Sequence, residues 1–261
     1  VTLSGGGMFP MGDDMKLMKG RIRFDASAGR VRYPLLGTTL DLGRTKGEVL
    51  ISPQWVVVDK MMGTIWDGTF TGRILAQIDD GDALNGSFVL QDMNLTSIGK
   101  SYDKKMEKAT VHGAIEFSSK GGNMNSIQAK GEAALVHGDL VEIPLFGFLG
   151  EALSNYIPGL GHLINYKISR ADCDFSIEKG YVRTSNFAAQ GSNMSLEGGG
   201  WIRLSDLQVN SDFKLGLRGL PGFITSPVFL LAGGLFQVRG TGPLSNVSWN
   251  FAPFSGGKAP V

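Results

Sequence analysis

The chain has little with which to do covalent or metal chemistry. Of its 261 residues only Cys173 is a cysteine, and three are histidines. A lone cysteine excludes an intrachain disulfide and any paired-cysteine metal site, and it leaves the redox compartment open. Charged residues make up 19 %, below the roughly 25 % usual for a soluble domain, and the net charge is +1. That balance provides no concentrated basic face for nucleic acid. The one cationic cluster, Lys100, Lys104, Lys105 and Lys108, is interrupted by Asp103 and Glu107 and reads as a solvated segment. Long apolar runs are missing too: Pro227–Phe236 falls short of the ~20 residues a bilayer span needs. The opening residues, Val1-Thr-Leu-Ser-Gly-Gly-Gly7, resemble neither a signal peptide nor an initiator start. Any targeting or anchoring segment is therefore expected upstream.

Catalytic patterns are equally thin. His112, His137 and His162 stand without a His-Glu-x-x-His motif or a paired cysteine, and read as turn or surface residues. Asp79, Asp80 and Asp82 flank Gly81, but a calcium loop needs oxygens spaced to wrap the ion and a distal glutamate, so a plain turn is expected. Gly198-Gly199-Gly200 and Gly240-Thr241-Gly242 lack the lysine and spacing of phosphate-cradling loops. No Gly-x-Ser-x-Gly elbow occurs, and Cys173 falls inside a strand pattern without a histidine partner, as an inert thiol would. The sequence does not read as an enzyme. No catalytic residue, cofactor or metal is expected.

What the chain has is glycine, 38 residues in all, and a signature that places it. A polar–Gly–x–apolar–x–apolar pattern recurs at Lys19-Gly20, Lys46-Gly47, Thr71-Gly72, Asn85-Gly86, His112-Gly113 and Lys130-Gly131. Each copy reads as a glycine-led turn followed by a strand whose apolar residues share one face. Ile22 and Phe24 alternate with Arg21 and Arg23, and Phe70, Ile74 and Ala76 form a similar stripe. A strand run from Val49 to Asp59 lies between them. Val209, Phe213, Leu215 and Leu217 alternate with Asn210, Asp212 and Lys214. The short connections predict a meander of antiparallel strands.

Helical spacing is rarer. Leu145, Phe148, Leu149, Ala152, Leu153, Tyr156 and Ile157 form one continuous apolar stripe between Pro144 and Pro158-Gly159. This amphipathic helix over 145–157 either caps an apolar sheet face or lies in a headgroup layer. Its polar side lacks the Lys and Arg that the second role favours, so the cap is preferred. Ile98, Tyr102 and Met106 predict a short helix after Leu95, and Phe223–Leu235 a further helical turn.

The order of several motifs resembles the C-terminal region of AsmA-like proteins, the family that groups with TamB-type proteins. Gly131-Glu-Ala-Ala-Leu-Val-His-Gly-Asp-Leu-Val-Glu-Ile-Pro144, followed by Leu145-Phe-Gly-Phe-Leu-Gly-Glu-Ala-Leu153, looks like the family's strand, Ile-Pro and helix entry. Ala171-Asp-Cys-Asp-Phe-Ser-Ile-Glu-Lys-Gly-Tyr-Val-Arg-Thr184 is similar to its hairpin, and Gly198-Gly-Gly-Trp-Ile-Arg-Leu204 to the strand that follows. Phe236-Gln-Val-Arg-Gly-Thr-Gly-Pro-Leu-Ser-Asn-Val-Ser-Trp249 resembles its ending, with Val247 where a proline is usual. The match covers about half the chain, and the part before Gly131 shares only the general strand style.

The resemblance implies a mainly β fold: an elongated, curved antiparallel sheet forming an open groove, with the 145–157 helix as cap and one or two short helices. A β-groove segment is expected over 1–130, an AsmA-like region over 131–254 and a disordered tail over 255–261. The implied role is binding or conduction of phospholipid acyl chains between inner and outer membranes, in support of outer-membrane biogenesis. The implied place is the periplasm, anchored to the inner membrane by an upstream segment. Candidate lipid-facing residues are Ile22 and Phe24, Phe70 and Ile74, Phe88 and Leu90, Ile115 and Phe117, Ile127 and Leu135, Phe175 and Ile177, Phe213, Leu215 and Leu217, and Val238.

Such a role needs surface rather than a catalytic group. A 16-carbon tail in open water costs about 13 kcal/mol at ~0.8 kcal/mol per CH₂, and an apolar floor offsets most of it. Burial of this kind is non-directional, so a tail can slide. Two readings compete with it. The same alternating strands could fill an ordinary two-sheet sandwich, or the chain could be a non-transporting scaffold that binds a protein partner through a sheet edge.

Overall fold

The computed structural model describes residues 2–8, 19–33, 38–78, 83–101, 108–120, 124–136, 141–142, 167–192, 194–217, 235–244 and 246–253. Two compact units divide the chain. The first takes Val1–Lys105, Thr110–Glu132 and Ser176–Gly180, and the second Met106–Ala109, Ala133–Phe175 and Tyr181–Val261.

The fold is mainly β. Strands of the first unit are β1 (Thr2–Met8), β2 (Lys19–Ala26), β3 (Gly29–Tyr33), β4 (Thr38–Ile51), β5 (Trp55–Ile65), β6 (Gly68–Gln77), β7 (Leu84–Asn94) and β8 (Thr110–Ser119). A short helix, α1 (Leu95–Ser101), follows β7. Hydrogen-bonded neighbours run β1-β2-β4-β5-β6-β7-β8, with β3 as a second partner of β4. All these pairings with a described register are antiparallel. The sheet is open at this edge, because β1 pairs only with β2 among the described residues.

Next come β9 (Gln128–Val136), β10 (Val141–Glu142) and β11 (Lys167–Glu178), of which β9 and β11 give residues to each unit. The second unit continues with β12 (Tyr181–Gly191), β13 (Met194–Arg203), β14 (Gln208–Leu217), β15 (Leu235–Pro243) and β16 (Ser248–Pro253). They pair antiparallel in sequence order, and among the described residues β16 pairs only with β15.

Turn chemistry explains the tight connections. Trp66 and Asp67, between β5 and β6, both have left-handed φ values (49° and 60°), as does Lys179-Gly180 (51° and 77°) between β11 and β12. Two consecutive positive φ angles give the type I′ geometry whose twist matches flanking antiparallel strands. Two strand irregularities also carry positive φ, at Lys60 (51°) in β5 and Asp92 (56°) in β7. In β7 the register passes from Leu90↔Gly113 to Met93↔Val111, which is a bulge.

Two sequence expectations need correction. The run Val49–Asp59 is not one strand, because the chain reverses at Ser52-Pro53-Gln54 between β4 and β5. The Ser52 N–H donates to the Trp55 carbonyl at 2.9 Å, and the Trp55 N–H donates to Ser52 Oγ at 3.2 Å. Proline, which has no N–H for a ladder, sits at the reversal. The recurrent glycines, second, are not turn residues. Gly20, Gly47, Gly72, Gly86, Gly113 and Gly131 lie within β2, β4, β6, β7, β8 and β9.

The short helix expected after Leu95 is α1, which ends at Ser101. The 145–157 helix, the helical turn at 223–235 and the 255–261 tail all lie outside the described residues.

Candidate functional site

Register carries one face across the first unit. Ile22 pairs with Val49, Val49 with Val58, Val58 with Ile74, Ile74 with Gly86 and Gly86 with Phe117. Directly opposed residues point to the same side of a sheet, so this row lies on one face. A second row runs Gly72–Phe88–Ile115, and a third runs Gly63–Phe70–Leu90–Gly113. Phe24 joins the same face opposite Gly47. Thus Ile22, Phe24, Phe70, Ile74, Phe88, Leu90, Ile115 and Phe117 come together on one side. Val49 and Val58, absent from the candidate set, belong with them. Trp55–Val58 reads as apolar throughout, and only pairing shows that Val56 and Val58 face this side.

The in-strand glycines belong to the same surface. A β-carbon at Gly47 would stand 2.8 Å from the Phe24 ring, and one at Gly86 would stand 2.5 Å from Phe117. Gly63 meets Phe70 at 2.8 Å in the same way. Each glycine leaves room for the aromatic ring of the neighbouring strand, as glycine in a strand interior often does. The ring centroids of Phe88 and Phe117 are 6.2 Å apart with planes 3° from parallel, and Phe70 stands 6.4 Å from Phe88.

The face is closed at one rim and partly open elsewhere. Ile65, Phe70 and Met93 are buried, with Leu42, Met61, Trp66, Phe88, Leu90, Ile98 and Val111 packed against them. Ile98 comes from α1, so the helix covers this rim. Asn94 Oδ1 accepts from the Thr96 N–H at 2.9 Å and caps the helix, while Trp66 Nε1 donates to Ser101 Oγ at 3.0 Å. Asp67 accepts from Ser97 Oγ. Away from the rim, Ile22, Phe24, Val49, Val58, Ile74, Ile115 and Phe117 are all only half-buried.

The reverse side of the sheet carries the charged residues, together with an apolar row Leu50–Val57–Leu75 in which Val57 is buried. Glu48, with its side chain 10 % exposed, lies 3.5 Å from Arg21 Nε and 3.3 Å from Arg23 Nε. Arg44 donates to both carboxylate oxygens of Asp25, at 3.0 and 2.6 Å, and holds its carboxyl below the usual carboxylate value. Two shallow cavities of about 400 and 380 Å³ are lined mostly from this side, by residues such as Ser4, Arg23, Lys46 and Glu48, or Asp59, Lys60, Thr71 and Ser87.

The remaining candidates are placed differently. Ile127 and Ile177 in the first unit are half-buried, as are Leu135 and Phe175 in the second. Phe213, Leu215 and Val238 share one face of β14 and β15 but are sealed, at 6, 1 and 0 % exposure. Phe213 packs between Phe187 and Trp249, with ring centroids at 5.5 and 6.4 Å. Leu217 pairs with Met194. Leu145, Phe148, Leu149, Leu153, Tyr156 and Ile157 lie outside the described residues.

Chemistry-bearing groups are scattered. The Asp92 N–H donates to His112 Nδ1 at 3.3 Å, and His137, His162 and the Asp79–Asp82 turn lie outside the described residues. Burial, then Asp174 and Asp172, push the Cys173 thiol above its ordinary value, so little thiolate forms near neutral pH. Among the described residues no three His, Cys, Asp or Glu groups are placed to hold a metal, and no helix is long and apolar enough to cross a membrane. Compared with protein-family models, curated proteins and solved structures, the chain has no match in any of the three.

Proposed function

We propose that this chain is a non-enzymatic envelope protein whose apolar sheet face binds or conducts phospholipid acyl chains, in the manner of AsmA-like proteins. The periplasm and an upstream inner-membrane anchor belong to the same reading, as does a part in outer-membrane biogenesis. The observation that carries it is the row Ile22–Val49–Val58–Ile74–Phe117. These residues share one face, bring no polar atom to it, and stay only half-buried. A solvent-facing strip of this breadth is costly unless something apolar covers it. The in-strand glycines support the reading by letting aromatic rings settle against the backbone. They leave a low floor on which a chain of methylenes finds no hydrogen bonds to break. The expected occupancy is on the first unit, since the apolar face of β13–β15 is already filled by side chains.

Native mass spectrometry and organic extraction of the purified chain test this directly. Bound phospholipid is expected, with its amount reduced by charged substitution at Ile74 or Val58. A lipid-free protein that also fails to take up a spin-labelled or fluorescent fatty acid would sink the proposal.

A specific observation favours the second reading, a scaffold that binds a protein strand at its edge. Strand β1, Thr-Leu-Ser-Gly-Gly-Gly-Met, has neither charge nor proline, and residues 2–7 are exposed, Leu3 at 66 %. Sheet edges left unprotected in this way accept further strands. A stoichiometric protein partner lost on Gly6→Pro substitution, with lipid content unchanged, would favour this reading over the first.

A further inference from the structure

Two turns of the second unit display apolar side chains that folding does not explain. Leu207 ends the turn between β13 and β14 with φ of 54°, the left-handed region that bulky side chains rarely adopt. Its side chain is 48 % exposed, so burial does not offset that strain. Leu244, in the turn between β15 and β16, is 40 % exposed, and its N–H donates to the Leu207 carbonyl at 2.9 Å. The hydrogen bond holds the two leucines at adjacent tips of the same sheet end. Glycine or asparagine at 207 would satisfy the turn at lower cost. A strained residue kept exposed in this way points to a use for the side chain.

The neighbouring strand ends add aromatic and cationic groups. Tyr181 pairs with Arg203, and Arg203 with Gln208, immediately beside the Leu207 turn. The Tyr181 and Trp201 rings meet edge to face at 5.4 Å, and the exposed Arg183 guanidinium stands 4.7 Å over the Tyr181 ring. Arg203 holds Asp206 through two hydrogen bonds, at 2.8 and 2.6 Å, which neutralises the one carboxylate of this turn. Leucine tips flanked by Trp, Tyr and Arg match the chemistry of a bilayer interface: apolar groups enter, aromatic rings sit at headgroup level and cations meet phosphate.

We propose that this turn pair docks the second unit onto the surface of an anionic bilayer, with Leu207 and Leu244 entering the acyl boundary. A protein partner fits less well. Two leucine tips cover a small part of the ~800 Å² per partner that a specific interface buries, and protruding tips need a matching pocket that a fluid bilayer does not. The site is separate from the apolar face of the first unit and stands whether or not that face binds lipid.

The test is co-sedimentation of the purified chain with vesicles of phosphatidylcholine alone and of phosphatidylcholine mixed with phosphatidylglycerol. The wild type is expected to bind the anionic vesicles, less so as salt rises. The Leu207→Gly/Leu244→Ser variant should bind roughly tenfold or more weakly, the scale of losing two inserted leucine side chains. Leu207→Gly alone should raise the thermal midpoint while weakening binding, so the loss cannot be ascribed to unfolding. Arg183→Gln should weaken binding to the anionic vesicles and leave binding to neutral ones unchanged. A wild type that ignores both vesicle types overturns the proposal. So does a double variant that binds as the wild type does, or a purified protein partner that occupies the two leucines while vesicles do not.

Discussion

Gly86 stands directly opposite Phe117 in the β7–β8 ladder, and a β-carbon on that glycine would come within 2.5 Å of the ring. Gly72 and Phe88 repeat the relationship one strand pair away. Gly86→Ala is therefore expected to destabilise the first unit by roughly 1–3 kcal/mol, the usual cost of overpacking. Phe117→Leu in the same chain should recover part of that loss. Urea unfolding of the single and double variants checks it, and additive effects would mean that ring and glycine do not share space.

This relationship also marks how far the sequence could be read. Polar–Gly–x–apolar–x–apolar correctly picks out strands with one apolar face, because side chains alternate whatever the glycine does. The pattern cannot tell a turn glycine from one beneath an aromatic ring. That ring belongs to a neighbouring strand, before or after it in the chain, at a distance fixed only by register. Gly86 and Phe117 are linked by pairing alone.

Helix α1 holds the closed rim through few contacts, so its anchors are sensitive. Removing the Asn94 cap by Asn94→Ala is expected to cost about 1 kcal/mol. Trp66→Phe should loosen the helix further, by deleting the indole donor to Ser101. Amide hydrogen exchange over residues 95–101 should quicken in both variants, with the central strands unchanged. Equal exchange in variant and wild type would show that the helix is held by Ile98 and its apolar neighbours instead.

Salt links on the charged side offer a pH test. Hydrogen bonds from Arg44 hold the Asp25 carboxyl below its ordinary value near 3.8. A carboxyl lowered in the folded state adds stability above its unfolded value and loses it as pH falls through the lowered one. Arg44→Gln should thus return Asp25 to its ordinary titration, visible by carbon-detected NMR. The stability difference between variant and wild type should shrink as the solution is acidified below pH ~4. The pair is exposed, so the effect should be small and weaken further with salt.

Sequence alternation treats Ile74 and Leu215 alike, yet the structure separates them. Both are branched apolar residues on an apolar stripe. Leu215 is 1 % exposed, paired between the buried Leu196 and Phe236, whereas Ile74 is half-buried in the Ile22–Phe117 row. Periodicity shows which face a residue takes; it does not show what, if anything, lies on that face. The Leu215→Gln variant buries an amide without a partner and gives up packed apolar area, so a loss of about 3 kcal/mol or more is expected. In Ile74→Gln the amide can reach water, and the loss should stay near 1 kcal/mol, with bound lipid falling much more than stability. Urea midpoints measured beside lipid content separate the two. Were Ile74→Gln to unfold the first unit as readily as Leu215→Gln unfolds the second, the row would be filled by the protein itself. No acyl chain could then be carried there.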